Sequence, residues 1–134
     1  MTFKKKILSI QLPAILWAIL IYILCVTDTQ QVKLDISLLG VPLDKIAHFG
    51  VFLILSFLMS WGVFAKHNWL SAKYKSWIIF IGITYGVLIE FMQFYLTIAR
   101  KADIFDIFAD GIGTFVGVFI FVFFIKNKNL ANKL

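Results

Sequence analysis

The stretch DIFDIFADGIGTFVGVFIFVFFI, residues 103–125, sets three aspartates at the head of a run of phenylalanine, isoleucine and valine. Asp103, Asp106 and Asp110 are spaced by three and four, so a helix carries all three carboxylates on one face. The apolar remainder is about the 20 residues that a helix needs to cross a hydrocarbon core. An ionised side chain at that depth costs a few kcal/mol or more unless it meets a partner or a polar cavity. The segment therefore reads as a membrane span and also as the place to look for function.

The rest of the chain fits that reading. Of 134 residues, 61% are hydrophobic and only 15% are charged, with 15 Phe and 4 Trp that a water-soluble surface would not hide. Mean hydropathy is +0.93. Four stretches have the length of a span, at about residues 7–26, 46–65, 76–97 and 104–125, with short connections between them. The expected fold class is all-α: a polytopic membrane protein of four transmembrane helices in a single domain, 1–134. The first stretch follows Lys4, Lys5 and Lys6 but runs to Val26 without a small-x-small cleavage site, so it reads as an uncleaved span. The lone cysteine, Cys25, excludes an intrachain disulfide and reads as packing.

Charge sets the expected orientation. Lys4, Lys5, Lys6, Lys66, Lys73, Lys75, Lys126, Lys128 and Lys133 fall on one side of a four-span topology. Lys33, Lys45, Arg100 and Lys101 fall on the other. The positive-inside rule then makes both termini cytoplasmic. Lysines near anionic headgroups account for the net charge of +6, and no nucleic-acid partner is expected. All seven acidic residues lie on or towards the outer side. The segment at about 27–43, apolar from Ile36 onward, suits a re-entrant or interfacial piece with a turn at Pro42.

Helical spacing gathers more polar residues near the aspartates. Asp44 and His48 are four apart at the start of the second span, which suggests an imidazole oriented by a carboxylate and able to act as general acid or base. Glu90 and Gln93 are three apart in the third span, roughly 10 Å below its outer end for Glu90. Gly82 and Gly86 continue that stripe, and Gly113 and Gly117 continue the aspartate stripe. Small residues at this spacing let helices approach closely in lipid, so spans three and four are expected to touch through their glycines and open outward into a polar cavity. The candidate catalytic residues are His48, Asp44, Glu90, Asp106 and Asp110. Lys45, Gln93, Arg100 and Asp103 are candidates for substrate binding, with Lys45 and Arg100 suited to a phosphate. Glu90, Asp106 and Asp110, with His48 nearby, have the donor types for a divalent metal. Structural alternatives stand beside these: Asp44 can pair with Arg100, Lys45 can pair with Asp103 or Asp106, and Asp103 can cap the fourth helix.

Taken in order, Asp44-Lys45-x-x-His48-Phe49, Glu90-x-x-Gln93, Arg100, Asp103, Asp106-x-x-x-Asp110-Gly111-x-Gly113 and Gly117 resemble the VanZ-like family across about residues 44–117. One departure is Asp110, where the family pattern often has Asn. The resemblance implies a small integral protein of the cytoplasmic membrane, with some members tied to teicoplanin or lipoglycopeptide resistance; it implies no defined reaction. Enzyme motifs such as Gly-x-Ser-x-Gly, His-Glu-x-x-His and the phosphate loop are absent. Three readings follow. The first is an enzyme on a lipid or lipid-linked envelope molecule, and the second a protein that binds a headgroup, envelope precursor or glycopeptide without turnover. An ion or proton pathway ranks below both, because the first span contributes few charges and the glycine-packed halves of spans three and four offer no continuous wire.

Overall fold

In the computed structural model the backbone is described for residues 3–26, 37–38, 40–96 and 103–131, and side chains for 10–26, 40, 42–96 and 103–125. Four helices run α1 (Phe3–Val26), α2 (Leu43–His67), α3 (Ala72–Leu96) and α4 (Ile104–Ala131). α2, α3 and α4 are long and apolar enough to cross a membrane. The described apolar part of α1 is Ile10–Val26.

Local chemistry sets the helix ends. Pro42, with φ −56°, precedes α2, and Asn68 ends it in the left-handed region at φ 58°, its amide bonded to the Phe64 carbonyl at 2.7 Å. The Ser71 hydroxyl accepts the Tyr74 amide at 3.2 Å and opens α3. Asp103 opens α4 in the same way, Oδ1 accepting the Phe105 amide at 2.9 Å. Capping at Asp103 is thus realised. Before α2, β1 (Ser37–Leu38) and β2 (Val41–Pro42) pair antiparallel around Gly40, which adopts φ +79°. The re-entrant expectation falls largely on residues outside those described; at its end the chain makes this short hairpin.

Cross-helix contacts fix the arrangement. Trp17 donates to the Val51 carbonyl at 2.9 Å and Gln11 to that of Met59 at 3.5 Å, so α1 and α2 run antiparallel. Tyr85 donates to the Ala18 carbonyl at 2.7 Å and Gln93 to that of Cys25 at 3.0 Å, so α3 lies parallel to α1. A core of Ala14, Ile21, Phe52, Leu55 and Ile89 joins these three helices. On the far side of α2, Phe57 meets Phe121 edge-on at 5.3 Å. Phe80, Phe105, Phe108, Phe115 and Phe119 are exposed, as on a surface that faces lipid.

The glycine stripes correct one expectation. Gly113 and Gly117 do not meet α3. A Cβ on Gly113 would lie 2.3 Å from the Phe49 carbonyl oxygen, and one on Gly117 would lie 2.2 Å from that of Leu53, so both press α4 against the backbone of α2. Gly82 and Gly86 do face α4, but through side chains: added Cβ atoms would lie 2.6 Å from the Thr114 methyl and 2.8 Å from Asp110 Oδ2. The missing side chains of Gly82 and Gly86 leave room on α3 for Thr114 and Asp110, and both are buried there.

Candidate functional site

The polar residues collect at the end of the bundle where α3 finishes and α2 and α4 begin. His48, Glu90, Asp106 and Asp110 are all buried there, Glu90 at 2% and Asp110 at 0% exposure. Three helices supply them: α2 gives His48, α3 gives Glu90, and α4 gives the two aspartates. Helical spacing puts the two aspartates on one face, and the glycine contact with α2 brings that face to His48.

His48 Nδ1 lies 3.0 Å from Asp110 Oδ1, within the bundle. Asp44 is exposed and, among the described residues, has no side-chain partner. The carboxylate that orients the imidazole is thus Asp110 from another helix, and not Asp44 one turn away. Sequence spacing favoured the local pair; burial selects the distant one, because Asp44 at the first turn of α2 can stay hydrated.

Lys45 reaches across to α4, its Nζ lying 2.5 Å from Asp103 Oδ2 and 2.8 Å from Asp106 Oδ1. The structural alternative for Lys45 is therefore present in both of its forms. The ammonium holds the Asp103 carboxyl below its ordinary value, and the bond from the Phe105 amide acts in the same direction. Glu90 also joins two helices: its Oε2 accepts the Asp103 amide at 2.9 Å, capping α4 from α3.

Carboxylate capacity is left over. Glu90 Oε1 and Asp110 Oδ2 are buried without a hydrogen-bond partner among the described residues, as is Thr114 Oγ1. One ligand atom each from His48, Glu90 and Asp106 lies within 4.8 Å of the other two. Among the described residues, the metal-type trio thus contains His48 in place of Asp110, which instead backs the imidazole. Gln93 is buried beside Glu90, but its amide is turned to the Cys25 carbonyl and anchors α1. Arg100 lies outside the described residues.

The expected outward opening borders residues 97–102, which lie outside those described. Two apolar grooves lie away from the polar layer, one along the α3–α4 seam at Ile83, Ile107, Phe108, Gly111, Ile112 and Phe115. The other is at Lys73, Ser76, Trp77 and Phe80. Thr114 is a buried polar residue that the reading of the sequence missed. Its signal was available, since it lies four residues beyond Asp110 and extends the aspartate face. The same holds for Ser56 and Ser60 on α2, both buried and bonded back to their own helix at 3.1 and 2.7 Å.

The family model described as VanZ/LLP1 matches residues 5–125. No curated protein and no solved structure matches the chain.

Proposed function

Since the chain belongs to the VanZ/LLP1 family, we propose that it is a four-span protein of the cytoplasmic membrane that acts on the headgroup of a lipid or lipid-linked cell-envelope molecule. One observation carries this reading: His48, Glu90, Asp106 and Asp110 are buried together in an apolar bundle with carboxylate oxygens left unpartnered. A layer that served stability alone would gain from pairing or removing those oxygens, because each buried orphan costs about 1–3 kcal/mol, and more when charged.

The sidedness of lysine supports cytoplasmic termini and an outward-facing polar layer. In this reading Lys45 and Arg100 engage a headgroup phosphate, and Asp103 positions Lys45 at the rim. His48, held by Asp110, moves a proton to or from the reacting oxygen, and the Glu90 and Asp106 carboxylates stabilise the imidazolium that forms. The exposed phenylalanines keep the acyl or polyprenyl part in the bilayer. Action on such molecules connects the protein to tolerance of glycopeptides such as teicoplanin.

The test is a turnover and binding screen of the full chain in nanodiscs against lipid phosphates and lipid-linked envelope precursors. Turnover that disappears in Glu90→Gln and Asp106→Asn identifies an enzyme. Retention of a lipid without turnover, lost in the same variants, identifies a headgroup-binding protein. If neither is found and both variants merely lower the yield of folded protein, the layer is structural and the proposal fails.

A further inference from the structure

Among the described residues, the polar layer holds more carboxyl groups than cationic partners. Glu90, Asp103, Asp106 and Asp110 face Lys45 and one imidazole among the described residues. Lys45 lies at the rim and spans Asp103 and Asp106, which leaves Glu90 and Asp110 deeper in the bundle without an ammonium. Their unpartnered oxygens are the second, independent feature, since Glu90 and Asp110 are almost wholly removed from solvent.

The bonds already made leave specific atoms over. His48 uses Nδ1 for Asp110, and Nε2 is its remaining nitrogen. Glu90 uses Oε2 for the Asp103 amide and retains Oε1. Asp106 uses Oδ1 for Lys45 and has Oδ2 unengaged by any described residue. His48, Glu90 and Asp106 offer ligand atoms that all lie within 4.8 Å of one another. Donors bound to one ion at 2.0–2.2 Å are roughly 3–3.6 Å apart, so side-chain rotations on three fixed helices close the difference.

We infer that His48, Glu90 and Asp106 form a binding site for one divalent transition ion, with Asp110 as the carboxylate that orients the imidazole. One nitrogen and two carboxylate donors suit Zn²⁺ or Mn²⁺ better than the all-oxygen shells of Ca²⁺ or Mg²⁺. The Asp110–His48 pair has the form in which a ligating histidine gives its other ring nitrogen to a carboxylate. An ion here neutralises charge that the bundle otherwise buries, and it joins α2, α3 and α4 at one point. The inference rests on the same residues as the lipid reading, with His48 a ligand in place of a proton carrier when the ion is bound; its test reads the ion alone, so the two readings fail separately.

The experiment is Zn²⁺ titration of chelator-stripped full-length protein in detergent, read by elemental analysis after gel filtration, with Co²⁺ as an absorption probe. The wild-type chain is expected to retain one Zn²⁺ and to give Co²⁺ visible bands of a nitrogen–oxygen site. Glu90→Gln, Asp106→Asn and His48→Ala should each weaken retention by at least tenfold. Asp110→Asn should weaken it about 10- to 100-fold while still giving the Co²⁺ bands at high cobalt. His67→Ala removes the other histidine, which stacks on Tyr74 at 5.0 Å away from the layer, and should change nothing. Failure of the wild-type chain to retain stoichiometric Zn²⁺ overturns the inference even if every variant misfolds. Retention that persists in Glu90→Gln and Asp106→Asn, or is lost in His67→Ala, overturns it as well.

Discussion

At Gly113 and Gly117, α4 lies against the bare backbone of α2; a few residues nearer its start, at Asp106 and Asp110, the same two helices meet through charged side chains. The first region is packed tight where it meets α2, although Thr114 Oγ1, between its two glycines, has no partner among the described residues. Its serines bond to their own helix, its phenylalanines pack edge-on, and its glycines leave no room for another atom. The second is buried to a similar degree but keeps carboxylate oxygens without partners among the described residues. Close packing of the glycine seam sets the register that delivers Asp110 to His48. On the proposed function, the difference separates a contact built for stability from one kept for a ligand.

Substitution can break this comparison in order of expected loss of stability. Gly117→Leu is the most severe, because its Cβ would meet the Ser56 hydroxyl and the Leu53 carbonyl, and backbone cannot rotate away. A loss at or beyond the upper end of the about 1–3 kcal/mol for overpacking is expected in detergent unfolding. Wild-type stability in this variant would mean that the seam does not hold the bundle. Gly86→Ala is milder. The added methyl meets a side chain, Asp110, and the gain in helix propensity of about 1 kcal/mol offsets part of the crowding. Its effect should appear in the polar layer, as about a tenfold loss of ligand binding.

Asp103→Ala removes a helix cap and should cost about 1 kcal/mol near neutral pH. The sign of its pH dependence follows from the lowered carboxyl value. Stability from this group is fully present above the ordinary carboxylate range and is lost as pH falls through the depressed value. Unfolding midpoints of the variant and the wild type should therefore converge on acidification; curves that stay parallel would show that Lys45 does not stabilise Asp103. Glu90→Gln sharpens the contrast from the other side. Glutamine keeps an acceptor for the Asp103 amide, so the unfolding midpoint should move by less than about 1 kcal/mol while activity or ligand retention is lost. A large loss of stability would return Glu90 to a structural role. Asp44→Asn, on an exposed first turn, should shift stability by under about 0.5 kcal/mol.

Much of the site was legible in the chain. Spacings of three and four assigned Asp103, Asp106 and Asp110 to one face, and put Glu90 and Gln93 on another. The resemblance then grouped these faces. Pairing was less accessible. Asp44 and His48 share a helix and a spacing, but the acid that meets the imidazole is 62 residues away. The glycines at 82, 86, 113 and 117 read as one interface, yet they serve two: Gly82 and Gly86 receive side chains, while Gly113 and Gly117 receive backbone. Gln93 sits in the polar stripe and spends its amide on the Cys25 carbonyl of α1.

By itself, the sequence determined the helices, their apolar outer surfaces and the faces that carry charge, because these follow from the local periodicity of 3.6 residues and from hydropathy. Only the tertiary structure decided which face meets which. That choice rests on how closely backbones can approach and on which helix leaves room for the Asp110 and Thr114 side chains, and neither is encoded in spacing along one helix.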